Sequence, residues 1–338
     1  MTHTLKKILI ATTMVVFTAC GGGGETSSGD NGSSGSLGVG SSGGAGSAKK
    51  LKKMTRINAD KTQFSVTEYT YNTNNLVEKS VEIEYIGDSE QGDMKSKQVS
   101  EYTYEKTYNM VKVVSKYYDE DNKLTYTSTS LQTYDGNKCI KSKGENTSTT
   151  PALNMSSEGN LTDYVGPIAT KTTSDIWDKD GKLFSQSHTN IEVLENKATS
   201  MTTTTKSTIL NTTTTSSILR TFDSHDRVIK TITQFISVKD TLTTTINHLY
   251  DNDKSKREPI FTCFGGYVQM AKNHRSKYPK SENTCYLSAG QKMSTKIAEK
   301  SSYESNTKYV NTIENGLVTK REDIEDDVLR RTYTYEYE

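Results

Sequence analysis

The last eight residues, Arg331 to Glu338, read RTYTYEYE, and the same period of two runs through FSVTEYTY (Phe64 to Tyr71), EYTY (Glu101 to Tyr104) and LTYTSTSLQTY (Leu124 to Tyr134). Successive side chains of a strand point to opposite faces, so Tyr or Thr alternating with Glu, Lys or Ser makes half-buried strands. Aromatic and β-branched residues fit such a pleated surface. The Thr-rich stretch from Thr199 to Ser217 continues the theme. No helical period longer than two turns competes, and the best short candidate lies at Tyr267 to His274. Only 32% of the chain is apolar. The expectation is therefore an all-β fold: an extended, curved antiparallel β-meander with a thin core.

A turn signature recurs between these strands. Its clearest copy is Trp177-Asp178-Lys179-Asp180-Gly181-Lys182-Leu183; Tyr118 to Leu124 and Phe222 to Val228 match it position for position. Shorter relatives begin at Tyr71, Tyr134 and Tyr250. The first Asp of each full copy bonds the backbone ahead of it and starts a type I turn. Three residues later the chain needs φ > 0, which Gly adopts freely and Asn or Asp adopts more readily than other residues. Gly181, Asn122 and Asp226 hold that position. The product is a three-residue hairpin loop closed by a bulge. It sets Trp177 opposite Leu183, Tyr118 opposite Leu124 and Phe222 opposite Val228, each pair contributing roughly 0.2–1 kcal/mol.

These hairpins resemble the tyrosine–aspartate (YD) repeats of bacterial surface and toxin-shell proteins. The resemblance covers short patches, irregularly spaced over residues 71–253, and implies an antiparallel hairpin array without implying an activity. A membrane-spanning barrel needs an apolar residue at every second position. Thr, Lys and Glu instead recur on both faces, as in Thr199 to Ser207, which argues against it.

At the N-terminus, Lys6 and Lys7 precede an apolar run from Ile8 to Phe17 and the small residues Thr18 and Ala19. This is the layout of a secretory signal, and the run is too short to span a bilayer. Phe17-Thr18-Ala19-Cys20 resembles the lipobox of bacterial lipoproteins. That resemblance implies diacylglyceryl transfer to the Cys20 sulfur, cleavage before Cys20 and acylation of the new amine by a fatty acid such as palmitate. Gly21 stands where Asp marks inner-membrane retention in many Gram-negative bacteria, so the expected address is the cell envelope, with the outer membrane favoured. Residues 21–48 are almost wholly Gly, Ser and Ala and read as a flexible tether with an r.m.s. reach on the order of 30 Å. GxGxxG and GxSxG matches within it neither follow a strand nor open a helix, as their mechanisms require. The domain reading is thus a signal peptide (1–19), lipidated Cys20 with its tether (20–48) and a β-repeat domain (49–338).

Without Lys6 and Lys7, the 42 basic side chains fall just below the 41 acidic ones, leaving a mature net charge of about −1. That balance offers no electrostatic case for nucleic acid as a partner. Of the four cysteines, Cys263 and Cys285 bracket one segment and are expected to pair, contributing roughly 3 kcal/mol. Cys139 is expected to be a buried free thiol. No CxxC spacing or His partner indicates a metal, and the Asp pairs 119/121 and 178/180 lack the third ligand and closing Glu of a calcium loop. No cofactor is implied.

Arg257 to Cys285 breaks the Tyr/Thr alternation and reads as a disulfide-closed flap. Tyr267, His274, Arg275 and Tyr278 in it are candidate ligand-binding residues for a sugar or acidic polymer; capping of the sheet end is the competing role. No acid, base and nucleophile set converges, so no catalytic residue is named. The functional expectation is a non-enzymatic, membrane-anchored lipoprotein that binds or scaffolds cell-envelope polymers or proteins. The alternative is an envelope hydrolase or carrier with its site beside the flap, His274 acting as acid/base and Tyr267 and Tyr278 stacking on the ligand.

Overall fold

A computed structural model of the chain describes residues 50–73, 77–105, 110–136, 138–150, 154–165, 168–194, 197–208, 211–223, 228–237, 241–250, 288–297, 301–315 and 317–338. They form eighteen strands and no helix. In chain order these are β1 (Leu51–Asn58), β2 (Gln63–Tyr71), β3 (Val77–Ile86), β4 (Asp93–Tyr104), β5 (Met110–Tyr118), β6 (Leu124–Asp135), β7 (Lys138–Ser148), β8 (Met155–Val165) and β9 (Ile168–Asp178). They continue with β10 (Leu183–Leu194), β11 (Lys197–Ser207), β12 (Thr212–Phe222), β13 (Val228–Ile236), β14 (Thr241–Tyr250), β15 (Ser288–Ile297), β16 (Ser301–Glu314), β17 (Leu317–Glu325) and β18 (Val328–Tyr337).

Each strand pairs antiparallel with its sequence neighbours, and β1 also pairs with β18. The sheet is therefore a closed barrel, which corrects the expected open meander. The physical reason is the edge: an open array leaves two rows of unpaired backbone groups, and closure removes both. Polar alternate positions argue against a lipid-facing wall, but they have no bearing on whether the sheet closes.

In a closed single-layer barrel, the face that stays buried around the circuit is the inner one. On β10, Ser185, Ser187 and Ile191 are buried while His188, Asn190 and Glu192 are exposed. The apolar core is thin, as expected. It consists of local clusters on the inner face: Ile191, Ala198, Met201 and Ile218 on β10–β12, Val77, Tyr102 and Met110 on β3–β5, and Leu51, Val318 and Tyr335 at the seam.

The signature turns behave as their chemistry requires. Asn122 has φ 57° and Gly181 φ 75°, whereas Asp226 lies outside the described residues. The Asp178 carboxylate accepts hydrogen bonds from the backbone N–H of Asp180 (3.0 Å) and Lys182 (2.9 Å), and Asp119 accepts from Lys123 N–H (2.9 Å). All three expected cross-strand pairs form: Trp177 with Leu183, Tyr118 with Leu124 and Phe222 with Val228. They divide between the two ends of the barrel, however. The hairpins at Tyr118 and Trp177 sit on the rim opposite the chain ends, while those at Tyr71, Tyr134, Phe222 and Tyr250 sit on the rim where β1 begins and β18 ends.

That chain-end rim is tied together by tyrosine hydroxyls. Tyr71 donates to the carbonyl of Leu51 (2.7 Å), Tyr104 to Val77 (2.9 Å), Tyr134 to Met110 (3.3 Å) and Tyr164 to Cys139 (2.6 Å). Tyr250 donates to Val228 (2.9 Å) and Tyr337 to Val318 (2.8 Å). Each acceptor is the first or second residue of the second strand of the preceding hairpin, or of β1 at the seam, so every bond links one hairpin to the one before it. Val193, Phe222 and Ile313 occupy the equivalent positions without a hydroxyl. Burial lifts the phenol pKa of Tyr71, Tyr134 and Tyr164 above the ordinary 10.0, which keeps these groups protonated as donors.

Cys139, half-buried at this rim, is disulfide-bonded rather than the expected free thiol. The expected Cys263–Cys285 pair and the short helical candidate at Tyr267 to His274 lie outside the described residues.

Removing one rim hydroxyl leaves a carbonyl unpaired, so Tyr104→Phe is expected to lower unfolding stability by about 0.5–1.5 kcal/mol. Tyr118→Phe, on the outer face of the opposite rim, is expected to change it by less than about 0.5 kcal/mol. Denaturant midpoints at constant m-value read both effects.

Candidate functional site

The inner wall divides into a charged sector and a neutral one. Across β17, β18, β1 and β3, register neighbours on the inner face include Arg321, Arg56 and Glu84 in one row, with Asp323 and Arg331 paired beside it. Arg321 is 7% exposed and its Nε donates to Asp323 Oδ1 at 2.7 Å. Its guanidinium lies 3.7 Å from the ring centroid of Tyr309 and 5.7 Å from that of Tyr333. The planar cation is thus held between aromatic faces and a carboxylate, an arrangement suited to Arg more than Lys. Arg56 Nη2 meets Glu84 Oε1 at 3.1 Å, and Ser96 Oγ donates to Glu84 Oε2 at 3.3 Å.

Glu82 lies on the same face two residues from Glu84. Burial pushes its carboxyl pKa above the ordinary 4.5, and the nearby Arg56 only partly opposes this. Glu82 and Gln98 are register partners, and Gln98 faces Tyr117, whose ring lies 5.3 Å from that of Tyr126. An aromatic pair beside an amide and a readily protonated carboxyl offers stacking and hydrogen bonding to a polar ligand.

The neutral sector runs over β7–β11 and is lined by hydroxyls. Ser187 and Thr205 share a hydrogen bond at 2.9 Å, as do Thr189 and Thr203. Gly159 sits where an added Cβ would come within 2.8 Å of Ser142 Oγ, so this wall is floored by its smallest residue. Asn146, 5% exposed, has no hydrogen-bond partner for Oδ1, nor has buried Ser185 for Oγ. Farther round, His248 Nε2 lies 3.1 Å from Thr231 Oγ1; burial first, and Arg220 second, lower its pKa and keep the ring neutral.

Among the described residues, no group of three or more His, Cys, Asp or Glu side chains could hold a metal. The residues singled out from the sequence, Cys20, Cys263, Cys285, Tyr267, His274, Arg275 and Tyr278, all lie outside the described residues. Six of them fall in the sequence between the end of β14 at Tyr250 and the start of β15 at Ser288. Sequence reasoning missed the inner-wall charges altogether. Their signal was parity: Arg321 and Asp323 share alternation with the Tyr positions of neighbouring strands, which becomes meaningful only once register is known.

No protein-family model matches this chain, and no curated protein does. Among solved structures, a porin-like protein from Bacteroides vulgatus is similar at TM-score 0.45 and 10% identity, over 86% of this chain and 99% of its own. A porin-like protein from Bacteroides uniformis is similar at TM-score 0.38 and 12% identity, over 85% and 98%. Both are distant likenesses of shape, and no function is taken from them. The class of the molecule is set by its own geometry: a closed, eighteen-stranded antiparallel barrel with a polar inner wall.

Glu82 yields a pH test. Its folded-state pKa is raised, so the stability it contributes is fully present below the unfolded value and is lost as pH rises through the folded one. Glu82→Gln is therefore expected to be more stable than wild type at about pH 7, with the gap closing near pH 4. Denaturant titrations at both pH values check this.

Proposed function

We propose that this chain is a non-enzymatic lipoprotein of the bacterial envelope, held at the membrane by acylated Cys20 and acting as a binding or scaffolding barrel. The observation that carries this reading is the outer face. At mid-strand it presents Lys143 and Glu145 on β7, Lys171 and Thr173 on β9, His188 and Asn190 on β10, Thr202 and Thr204 on β11, and Glu304 and Asn306 on β16. A lipid-spanning barrel needs a continuous apolar band about 25 Å tall at that level. Such a wall belongs in water, and a barrel standing in water needs a separate anchor to remain at a membrane.

Residues 21–48, read from the sequence as the tether, precede β1, whose first residue, Leu51, lies on the chain-end rim. Tyr117 and Tyr126 lie next to the opposite rim. Polar, hydroxyl-bearing envelope polymers or proteins are the partners that suit a wall of serines, threonines, amides and tyrosines.

Cys20→Ser is expected to abolish acylation and lipoprotein processing. A chain starting at residue 49 is expected to be extracted without detergent. Membrane fractionation reads both, and a detergent requirement for residues 49–338 would contradict the proposal.

A further inference from the structure

The outer face is not uniform. On β2–β5 its outward row is apolar: Phe64 and Val66 lie beside Tyr85 and Ile83, and Val81 faces Val99. These side chains pack on one another. The rings of Phe64 and Tyr85 are 6.2 Å apart, and Val66 is only 5% exposed although it points outward. Cations interleave with them. Lys97, Lys112 and Lys116 share this face, and none has a carboxylate opposite it in register. Lys97 Nζ lies 5.4 Å from the Tyr118 ring centroid, its stem laid along the aromatic surface. Glu68 and Glu101 stand in register opposite Lys53 and Lys79 respectively, and Glu90, beside Tyr85, pairs with Lys53 Nζ at 2.8 Å.

We infer that the outer face of β2–β5 is a docking surface for an anionic phospholipid bilayer. Apolar and aromatic side chains seat at the acyl–headgroup boundary, while lysine stems run along the apolar surface and place their ammonium groups among lipid phosphates. Each such lysine near an anionic leaflet adds to the attraction. Charge selects this occupant over a second copy of the chain: a two-fold contact through the same face brings both copies' Lys97, Lys112 and Lys116 into one interface. The outer face of β13 and β15 provides an internal contrast. Lys292 and Lys296 there neighbour Asn247, Thr243 and Ser294 rather than an apolar row, and Lys230 stands between Thr221 and Asn247 with Ile232 two residues along. Docking lays the side of the barrel on the membrane and is independent of Cys20 acylation.

The test is co-sedimentation of residues 49–338, which include every ladder of the closed circuit, with two kinds of vesicle. One is equimolar phosphatidylglycerol and phosphatidylcholine; the other is phosphatidylcholine alone. The protein is expected to sediment with the first only. The triple variant Lys97→Glu, Lys112→Glu, Lys116→Glu is expected to lose at least about tenfold in partitioning. The equivalent triple at Lys230, Lys292 and Lys296 is expected to stay within about twofold of wild type, because charge alone is weaker than charge beside apolar surface. A Lys→Gln triple at 97, 112 and 116 supplies a milder change if reversal disturbs folding, and its partitioning should fall between the two. Three results would overturn the inference: no wild-type binding to the anionic vesicles, equal losses in both Glu triples, or a wild-type dimer in ultracentrifugation that the patch variant dissociates. Failure of the lipid anchor is read separately by Cys20→Ser, so the two outcomes remain distinct.

Discussion

The ladder between β1 and β18 is the constraint on which the rest of the molecule depends. Seven register pairs run from Leu51 with Tyr337 to Asn58 with Arg331, and two further backbone bonds, Lys50 N–H to Glu338 C=O and its reciprocal, extend the ladder to the last residue. Without this seam the sheet has two free edges and no inside. With it, every strand acquires an inner and an outer parity. The Tyr337 hydroxyl can then reach Val318 on one side of the seam while Tyr71 reaches Leu51 on the other. The tyrosine ties pass through the closure point as they pass between ordinary hairpins.

Parity then sorts the chemistry. Serine, threonine, glycine and tyrosine dominate the inner wall, which leaves little apolar volume to form a conventional core. Small local clusters near the chain-end rim, the continuous ladders and the rim hydroxyls hold the barrel together instead. In the charged sector Arg321 and Asp323 satisfy each other, with the guanidinium lying against two tyrosines. Replacing such a pair by apolar residues is often neutral for stability, so its presence is weak evidence of strength. The outer wall is polar at mid-strand on β7, β9–β11 and β16 and carries an apolar row over β2–β5.

Much of the local structure was legible in the sequence. The period of two placed the strands. Asp followed three residues later by Gly or Asn placed the bulged turns, and the residues with φ > 0 at 122 and 181 stand where the turn chemistry requires them. These are short-range effects, decided within a few residues. Closure was not legible, because the pairing of LKKMTRIN with RTYTYEYE joins the two ends of the domain and no local pattern encodes it. The hydroxyl ties were hidden for the same reason: Tyr104 looks like any strand tyrosine until Val77 is known to lie beside it. The inner charges were masked by their alternation. Glu82 and Glu84, within VEIEYI, line the interior, although alternating glutamates ordinarily mark the solvated side of a strand.

The most direct test of the closed barrel is a covalent bridge across the seam. Thr55 and Thr334 are register partners on its outer face, and their hydroxyls touch. In the double variant Thr55→Cys, Thr334→Cys, closure predicts that mild oxidation joins the two new thiols within one folded chain, recovered as a single cross-linked peptide pair by mass mapping. An open meander holds these residues at opposite ends of the sheet. Failure to cross-link under conditions that leave the strand content unchanged would contradict the closed barrel.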